Sequence, residues 1–295
     1  MTITMSKMTR ETRPAPAITA DLHIHSTASD GEYSPAEIAA MLEKNHIRIA
    51  ALADHDSFGG FEEFREAFDG LAIPAAELSV NYKGGGFHLL TYGFDPAHRA
   101  LRERLQHFRK VRETRLEKMC ERLGELGYPV SIAAIRKHCP PGTTLGRPHI
   151  ARAMMAAGHV RSFNTAFHKY LGDGKPAYVP KVRMDFDEAL ALIRDAGGIS
   201  ILAHPGLYHR DIPFEQMMKM PVDGFEAYHP NHSPAYARAI IRHCDKRHLP
   251  YTGGSDFHDL RKNKLNVIGK WGLLEKEWCR VKEYLREHSA YGLGD

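Results

Sequence analysis

The chain has 295 residues, enough for one large domain with an insertion or for two modest domains at roughly 100 to 200 residues each. A hydrophobic share of 43% and a charged share of 26% are ordinary globular usage and exclude a disordered chain or a coiled coil. Forty basic against thirty-six acidic side chains leave a net charge of +4, too little to declare a nucleic-acid-binding protein, and no apolar run approaches the roughly 18 residues of a membrane helix.

In chain order, residues 1–17 are polar and without periodicity, and are read as a flexible tail. From Ile18 short apolar, β-branched runs alternate with amphipathic stretches. Strands are predicted over 18–24, 48–53, 72–80, 87–94, 199–203, 222–228 and 250–254. Helices are predicted over 35–44, 61–68, 186–196, 214–220 and 235–248. The first helix carries a start signal: Ser34 as cap, Pro35 at the first helical position and Glu37 three residues after the cap. Strands alternating with helices predict parallel strands with crossover helices, and an α/β barrel of seven (β/α) units fits best.

The alternation stops between His98 and Pro176, where helical periodicity continues without a convincing strand. The predicted organisation is therefore a barrel domain over 18–97 and 177–290, interrupted by an inserted helical subdomain over 98–176. The first stretch of the insertion, 98–126, has apolar positions Leu101, Leu105, Phe108, Leu116, Met119 and Leu123. It also holds nine Lys or Arg against five Glu, an excess equal to the net charge of the whole chain. That excess is either a solvated helix face or a basic wall facing an anionic substrate.

Cys120, Cys139, Cys244 and Cys279 include no close pair, which predicts reduced thiols and a cytoplasmic protein. Histidine is the unusual count at nineteen, often beside aspartate, and points towards metal. His23 and His25 end the first strand; residues i and i+2 share a face, so both imidazoles can reach one ion while Ile24 packs the other way. Four further fragments place ligand-type side chains at strand ends: Asp54-His55-Asp56, Ala76-Glu77-Leu78, Ala203-His204-Pro205 and Asp256-Phe257-His258. His88 adds another, and Asp30 follows His25. The carboxyl ends of barrel strands converge on one mouth, where catalytic groups gather.

The run Asp21-Leu22-His23-Ile24-His25-Ser26-Thr27-Ala28-Ser29-Asp30-Gly31, with those fragments and Gly254-Ser255-Asp256-Phe257-His258, resembles the PHP family, named for polymerase and histidinol phosphatase. The resemblance covers 18–269 and implies a distorted (β/α)7 barrel of that type. Gly146-Arg147-Pro148-His149, Gly174-Lys175-Pro176 and Tyr228-His229-Pro230 are similar to the branch containing nucleoside 3',5'-bisphosphate phosphatases and a 5'-3' exoribonuclease. The resemblance implies three ions: one held by His23, His25, Glu77 and Asp256, a second by Glu77, His88 and His204, a third by Asp30, His55 and His258. Six imidazoles with carboxylates suit manganese first, or iron or zinc, more than magnesium.

Such a site implies phosphate-ester hydrolysis by metal-bound hydroxide. Arg147 offers a bidentate fork to phosphate, Lys175 a flexible charge, and His149 stands at a helix start whose N–H groups can face an anion. His229 is a candidate phosphate ligand or proton donor. Ser26 either contacts phosphate or caps local backbone, and Asp54 and Asp56 could orient ligand imidazoles. The expected substrate is an anionic nucleotide such as a nucleoside 3',5'-bisphosphate. Short RNA, or histidinol phosphate, is the enzymatic alternative, and a metal- and nucleotide-binding module without turnover the non-enzymatic one. No membrane or obligate protein partner is implied.

Overall fold

The computed structural model describes residues 17–208, 212–260 and 266–292, so the tail expected over 1–17 lies, Ala17 apart, outside the described residues. In chain order the elements are β1 (Ala20–Ile24), α1 (Pro35–Lys44), β2 (Ile49–Leu52), α2 (Phe61–Ala67), β3 (Leu71–Ala72), β4 (Ala75–Tyr82) and β5 (Gly85–Tyr92). Four helices follow: α3 (Arg99–Glu125), α4 (Ile132–Arg136), α5 (Arg147–Ala156) and α6 (Phe163–Ala166). The alternation then resumes with β6 (Met184–Asp185), α7 (Phe186–Asp195), β7 (Ile199–Leu202), α8 (Phe214–Met217), β8 (Gly224–Tyr228), α9 (Pro234–Arg247), β9 (Tyr251–Gly253) and α10 (Glu275–His288).

Local chemistry explains most boundaries. The Ser34 hydroxyl accepts from Glu37 N at 3.2 Å while the Glu37 carboxylate accepts from Ser34 N at 2.7 Å, the reciprocal cap read from the sequence, which contributes about 1 kcal/mol. The strand expected over 72–80 is two strands, because Pro74 donates no N–H: β3 ends on the first sheet and β4 begins on the second. Tyr82 pairs with Gly85 across the two-residue turn Lys83-Gly84, both at positive φ, which closes a tight hairpin.

The strands form a mixed α/β fold of two sheets, ordered β1-β2-β3 and β6-β4-β5-β7-β8-β9. This corrects two expectations. The sheets do not close into a barrel, and pairing is not uniformly parallel, since β5 runs antiparallel to both β4 and β7. Isolated bridges join the sheets instead, Ile24 to Phe257 and His55 to Glu77. At the first seam Asp256 N donates to His23 O and His25 N to Phe257 O. Gly254 permits that approach, since a Cβ there would lie 2.4 Å from the His23 backbone.

Alternate residues of β2 serve different cores: Ile49 and Ala51 face the main core with Leu22, Leu78, Leu89 and Phe225, whereas Ala50 and Leu52 face α1 and α2 through Ile38, Leu42 and Phe64. Helix α3 bridges two cores. Leu101, Leu105 and Phe108 join the main one, and Leu116, Met119 and Leu123 join a third with Ile135, Ile150 and Met154. Among the described residues no strand is present between Tyr92 and Met184. No helix among the described residues is long and apolar enough to cross a membrane.

Candidate metal centre

Glu77 is the middle of the site. It lies within β4, not past its end, because the strand starts only after Pro74, and its side chain is 1% exposed. Its Oε1 is 2.8 Å from His88 Nδ1 and from His204 Nε2, and 3.7 Å from His23 Nε2. Its Oε2 is 2.8 Å from His55 Nδ1 and 3.5 Å from His25 Nε2. Asp256 Oδ1 lies 3.2 Å from His25 Nε2 and 3.5 Å from His23 Nε2, and Asp30 Oδ1 lies 3.4 Å from His258 Nε2. All nine side chains expected at the site thus meet, though they come from positions 23 to 258.

Their grouping differs in part from the expected one. Ligand atoms lie within 4.8 Å of one another in four sets: His25, Asp30, His55 and His258; His23, His25 and Asp256; His23, Glu77 and His204; His55, Glu77 and His88. Glu77 stands in two sets, as do His23, His25 and His55. His25 joins the set expected of Asp30, His55 and His258.

The fit to metal can be judged from unpaired atoms. His23 Nε2, both nitrogens of His25, Asp30 Oδ1, His55 Nδ1, Glu77 Oε2 and His88 Nδ1 are buried, and although His55 and His88 lie 2.8 Å from Glu77, the angles make no hydrogen bond at any of these atoms. A native interior leaves few such atoms, so seven converging on one place call for an ion to bind them. Imidazole with carboxylate is a donor set for divalent transition metals, and the residues fit one. The backbone is strained here too: His204, Asp56 and Asp256 have φ of 29°, 48° and 47°, a left-handed region that non-glycine residues adopt at a cost.

Charge follows from the same geometry. Burial alone would raise Glu77 and Asp256, yet the imidazoles around them hold both well below the usual carboxylate range. Burial would lower His258, but Asp30 and Asp256 hold it up to about 10. His25 is pushed down to about 4, first by burial and then by His258 beside it.

The imidazole orienter is not the one expected. Asp54 accepts from Ser26 N, Ser26 Oγ and Ser29 Oγ, so it shapes the loop carrying Asp30; Asp56 accepts from Ser79 N and pairs with Arg112. Glu226 of β8, fully buried, does that work. It accepts from His23 Nδ1 at 2.9 Å, which turns Nε2 towards Glu77, and from His204 N at 2.7 Å.

The expected phosphate residues divide. Ser26 Oγ donates to Asp54 and accepts from Ala28 N, a turn-capping role. His229 is fully buried; its Nδ1 accepts from Asn231 N and its Nε2 donates to Asp256 at 3.2 Å. His149 Nδ1 accepts from Gly146 N at the start of α5, with the ring near enough to Asp30 to feel its charge. Arg147 pairs with Asp173 at 2.5 Å and lies over the rings of Phe167 and Tyr178, while Lys175 is exposed; no contact among the described residues joins either to the cluster.

Three cations missed by sequence reasoning stand closer. Arg152 lines the cleft with Asp30, Asp256 and His258, and donates to Asp30 O and Glu32. Lys181 Nζ is 2.5 Å from Ser79 Oγ and 3.5 Å from His88 Nε2, and burial with Arg112 nearby pushes it down to about 7. Arg112 Nε donates to Asp56 at 2.6 Å. Only Arg112 had a visible signal, a charge on the apolar ridge of α3.

The chain is 32% identical over 248 residues to a 3',5'-nucleoside bisphosphate phosphatase of Chromobacterium violaceum, covering 81% of this chain and 86% of the relative. It belongs to the PHP family of metal-dependent phosphoesterases. A PHP-family chain of this kind is a phosphoric ester hydrolase. A 5'-3' exoribonuclease of Haemophilus influenzae is 31% identical over 246 residues, 81% of this chain and 89% of that one. A crystal structure from Bifidobacterium adolescentis, assigned as a metal-dependent phosphoesterase, superposes with a TM-score of 0.82 at 27% identity, over 95% of this chain and 98% of the other. No family model matches the chain.

Proposed function

We propose that this phosphoesterase removes a phosphate from a small nucleotide of the nucleoside 3',5'-bisphosphate class, with three divalent ions, manganese before iron or zinc, held by the nine side chains around Glu77. The reading is carried by the buried ligand atoms that converge there without hydrogen-bond partners. The substrate class is supported by the Chromobacterium relative, whose name gives it as a phosphatase of such bisphosphates. Bound ions would lower the pKa of water and stabilise the attacking and leaving oxygens of an in-line phosphoryl displacement.

The chain's own residues set up that chemistry. Glu226 fixes the His23 tautomer by accepting a hydrogen bond from Nδ1–H, and His229 holds Asp256 in place through Nε2–H. Arg152 and Lys181 are the cations nearest the cluster and would neutralise charge developing on the phosphoryl oxygens. Arg147, with Lys175, would take the second phosphate by exchanging Asp173 for it, since Asp173 is the exposed member of that pair.

The two open sheets are read as framing one cleft, with the bridges at Ile24 and His55 as its seams. Residues 98–176 are read as a helical subdomain over its mouth. Arg112 reaching Asp56 and Arg152 reaching Asp30 support that position. The reaction is placed in the cytoplasm, where cysteines without close pairs stay reduced.

The test is turnover of a nucleoside 3',5'-bisphosphate, a 5'-phosphorylated RNA and histidinol phosphate by manganese-loaded protein, following phosphate and mononucleotide release. Fastest phosphate release from the bisphosphate is expected. Preference for histidinol phosphate, or no turnover of any substrate, would refute the proposal. Exoribonuclease activity on short RNA is the second reading, favoured by the name of the Haemophilus relative and by an open basic face on α3.

A further inference from the structure

The cleft beside the metal ligands has two unlike walls. Asp30, Asp256 and His258 form one side, and Pro148, Phe163 and Phe167 the other, around a space of about 270 Å³. With a phosphate drawn to the ligand cluster, the organic part of its ester has this cleft to enter, and it meets rings there. Phe163 and Phe167 are four residues apart, one helical turn, and pack with ring centroids 4.8 Å apart and planes tilted by 33°. Both are half-buried: they rest on the core shared by α3 and α5, and they also wall the cleft. Core packing alone accounts for the contact between the rings, not for their place opposite the metal ligands.

The backbone that presents Phe167 is unusual. Phe167–Leu171 form a single π turn, closed by Gly172 N donating to Phe167 O at 2.9 Å. Such turns are rare and are frequent at functional sites. Gly172 is required for this closure, since a Cβ there would lie 2.7 Å from Phe167 O. The turn also ties the aromatic wall to the residues read as the second-phosphate site. Arg147 donates to Leu171 O at 3.2 Å with its guanidinium 5.7 Å from the centre of the Phe167 ring, and Asp173 and Lys175 follow directly in the chain. One backbone feature thus holds a flat apolar wall and a cation for phosphate side by side.

We propose that the Phe163–Phe167 wall is the nucleobase subsite: with one phosphate at the metal centre and the other at Arg147, the base lies against these rings. The inference rests on the bisphosphate reading and adds to it the residues that make a nucleotide, rather than any bisphosphate, the preferred substrate. Stacking of a base on an aromatic side chain strengthens binding by about tenfold or more. A base held alike in the ground and transition states acts on KM and leaves kcat unchanged.

The test compares manganese-loaded wild type with Phe167→Leu, Phe163→Leu/Phe167→Leu and Phe167→Tyr. Two probes are used: adenosine 3',5'-bisphosphate, and methyl riboside 3,5-bisphosphate, which carries both phosphates and no base. Measured are kcat and KM for each and, by calorimetry, Kd for their slowly hydrolysed phosphorothioate forms. Wild type should prefer the adenosine probe by about tenfold or more in both measurements. Phe167→Leu should reduce that preference severalfold through KM, and the double variant should bring it close to unity. Phe167→Tyr, which keeps the ring, should retain it. Leucine preserves the apolar packing while removing the flat face, so melting temperatures should stay close to wild type. Wild type that handles both probes alike, variants that lose equally on both, or Phe167→Tyr that loses as much as Phe167→Leu would each overturn the subsite. If wild type turns over neither probe while the preference in Kd is present and disappears in the double variant, the bisphosphate reading fails and the base subsite stands.

Discussion

Glu226→Gln isolates the contact on which ligand orientation depends. Glu226 is fully buried and accepts two hydrogen bonds, from His23 Nδ1 and from His204 N. A glutamine offers one acceptor oxygen and one donor amide, so one of these bonds must fail. If the amide faces His204 N, that backbone N–H is left unpaired and the strained φ of His204 loses its restraint. If it faces His23, the ring must carry its proton on Nε2, the nitrogen 3.7 Å from Glu77 and 3.5 Å from Asp256, which can then no longer bind metal. Loss of such an outer contact weakens metal binding about 10- to 100-fold, which is about 1.4 to 2.8 kcal/mol. A mispaired buried group also costs about 1–3 kcal/mol of folding stability. Competition with a chelator of known affinity reads the first effect, and urea unfolding of the metal-free protein reads the second. Activity at saturating metal should recover in large part. Metal affinity within twofold of wild type would refute the assignment of Glu226.

Other expectations follow from named contacts. Arg112→Ala strands Asp56 in the interior and should cost about 3 kcal/mol in urea unfolding, the lower range for breaking a buried ion pair; a loss below 1 kcal/mol would mean that water already solvates Asp56. Arg152→Ala should lower turnover of bisphosphate and of an aryl phosphate alike, whereas Arg147→Ala should weaken bisphosphate turnover far more; equal losses for Arg147→Ala would remove it from the second-phosphate site. Chelation should abolish activity, and manganese, iron or zinc should restore it. Manganese at a hundred times its Kd should stabilise the fold by about 2.7 kcal/mol, raising the melting temperature, and that rise should vanish in Glu77→Gln.

Much of the fold and site is legible because period and position agree in the sequence. The strands around the site are apolar and β-branched, and His23 and His25 sit two apart on one of them, a spacing that by itself puts both imidazoles on a shared face. Three features were not legible, for physical reasons. Closure of the sheets depends on pairing between distant segments, and the antiparallel hairpin of β4 and β5 has no signature in strand period alone. Pro74, which separates β3 from β4, did carry a signal, since a proline cannot continue a central ladder. Helix α10 lies beyond the last predicted strand and was not anticipated. Within the site, Glu226 could have been found: a carboxylate between Phe225 and Ala227 in a buried strand has to be satisfied by something internal. Arg112 and Arg115 likewise continue the buried ridge of Leu105 and Phe108. Arg152 and Lys181 gave no such sign, since their approach to the cluster is set by how the helices pack on the sheets.

The central claim is that side chains from across the chain assemble around Glu77 into one centre for divalent metal. Its most direct test is elemental analysis of manganese-loaded, desalted protein beside Glu77→Gln. More than one tightly held ion per chain in wild type is predicted, with a large fall in the variant and a parallel loss of phosphate release. Wild type that retains no metal, or Glu77→Gln that retains as much as wild type, would contradict it.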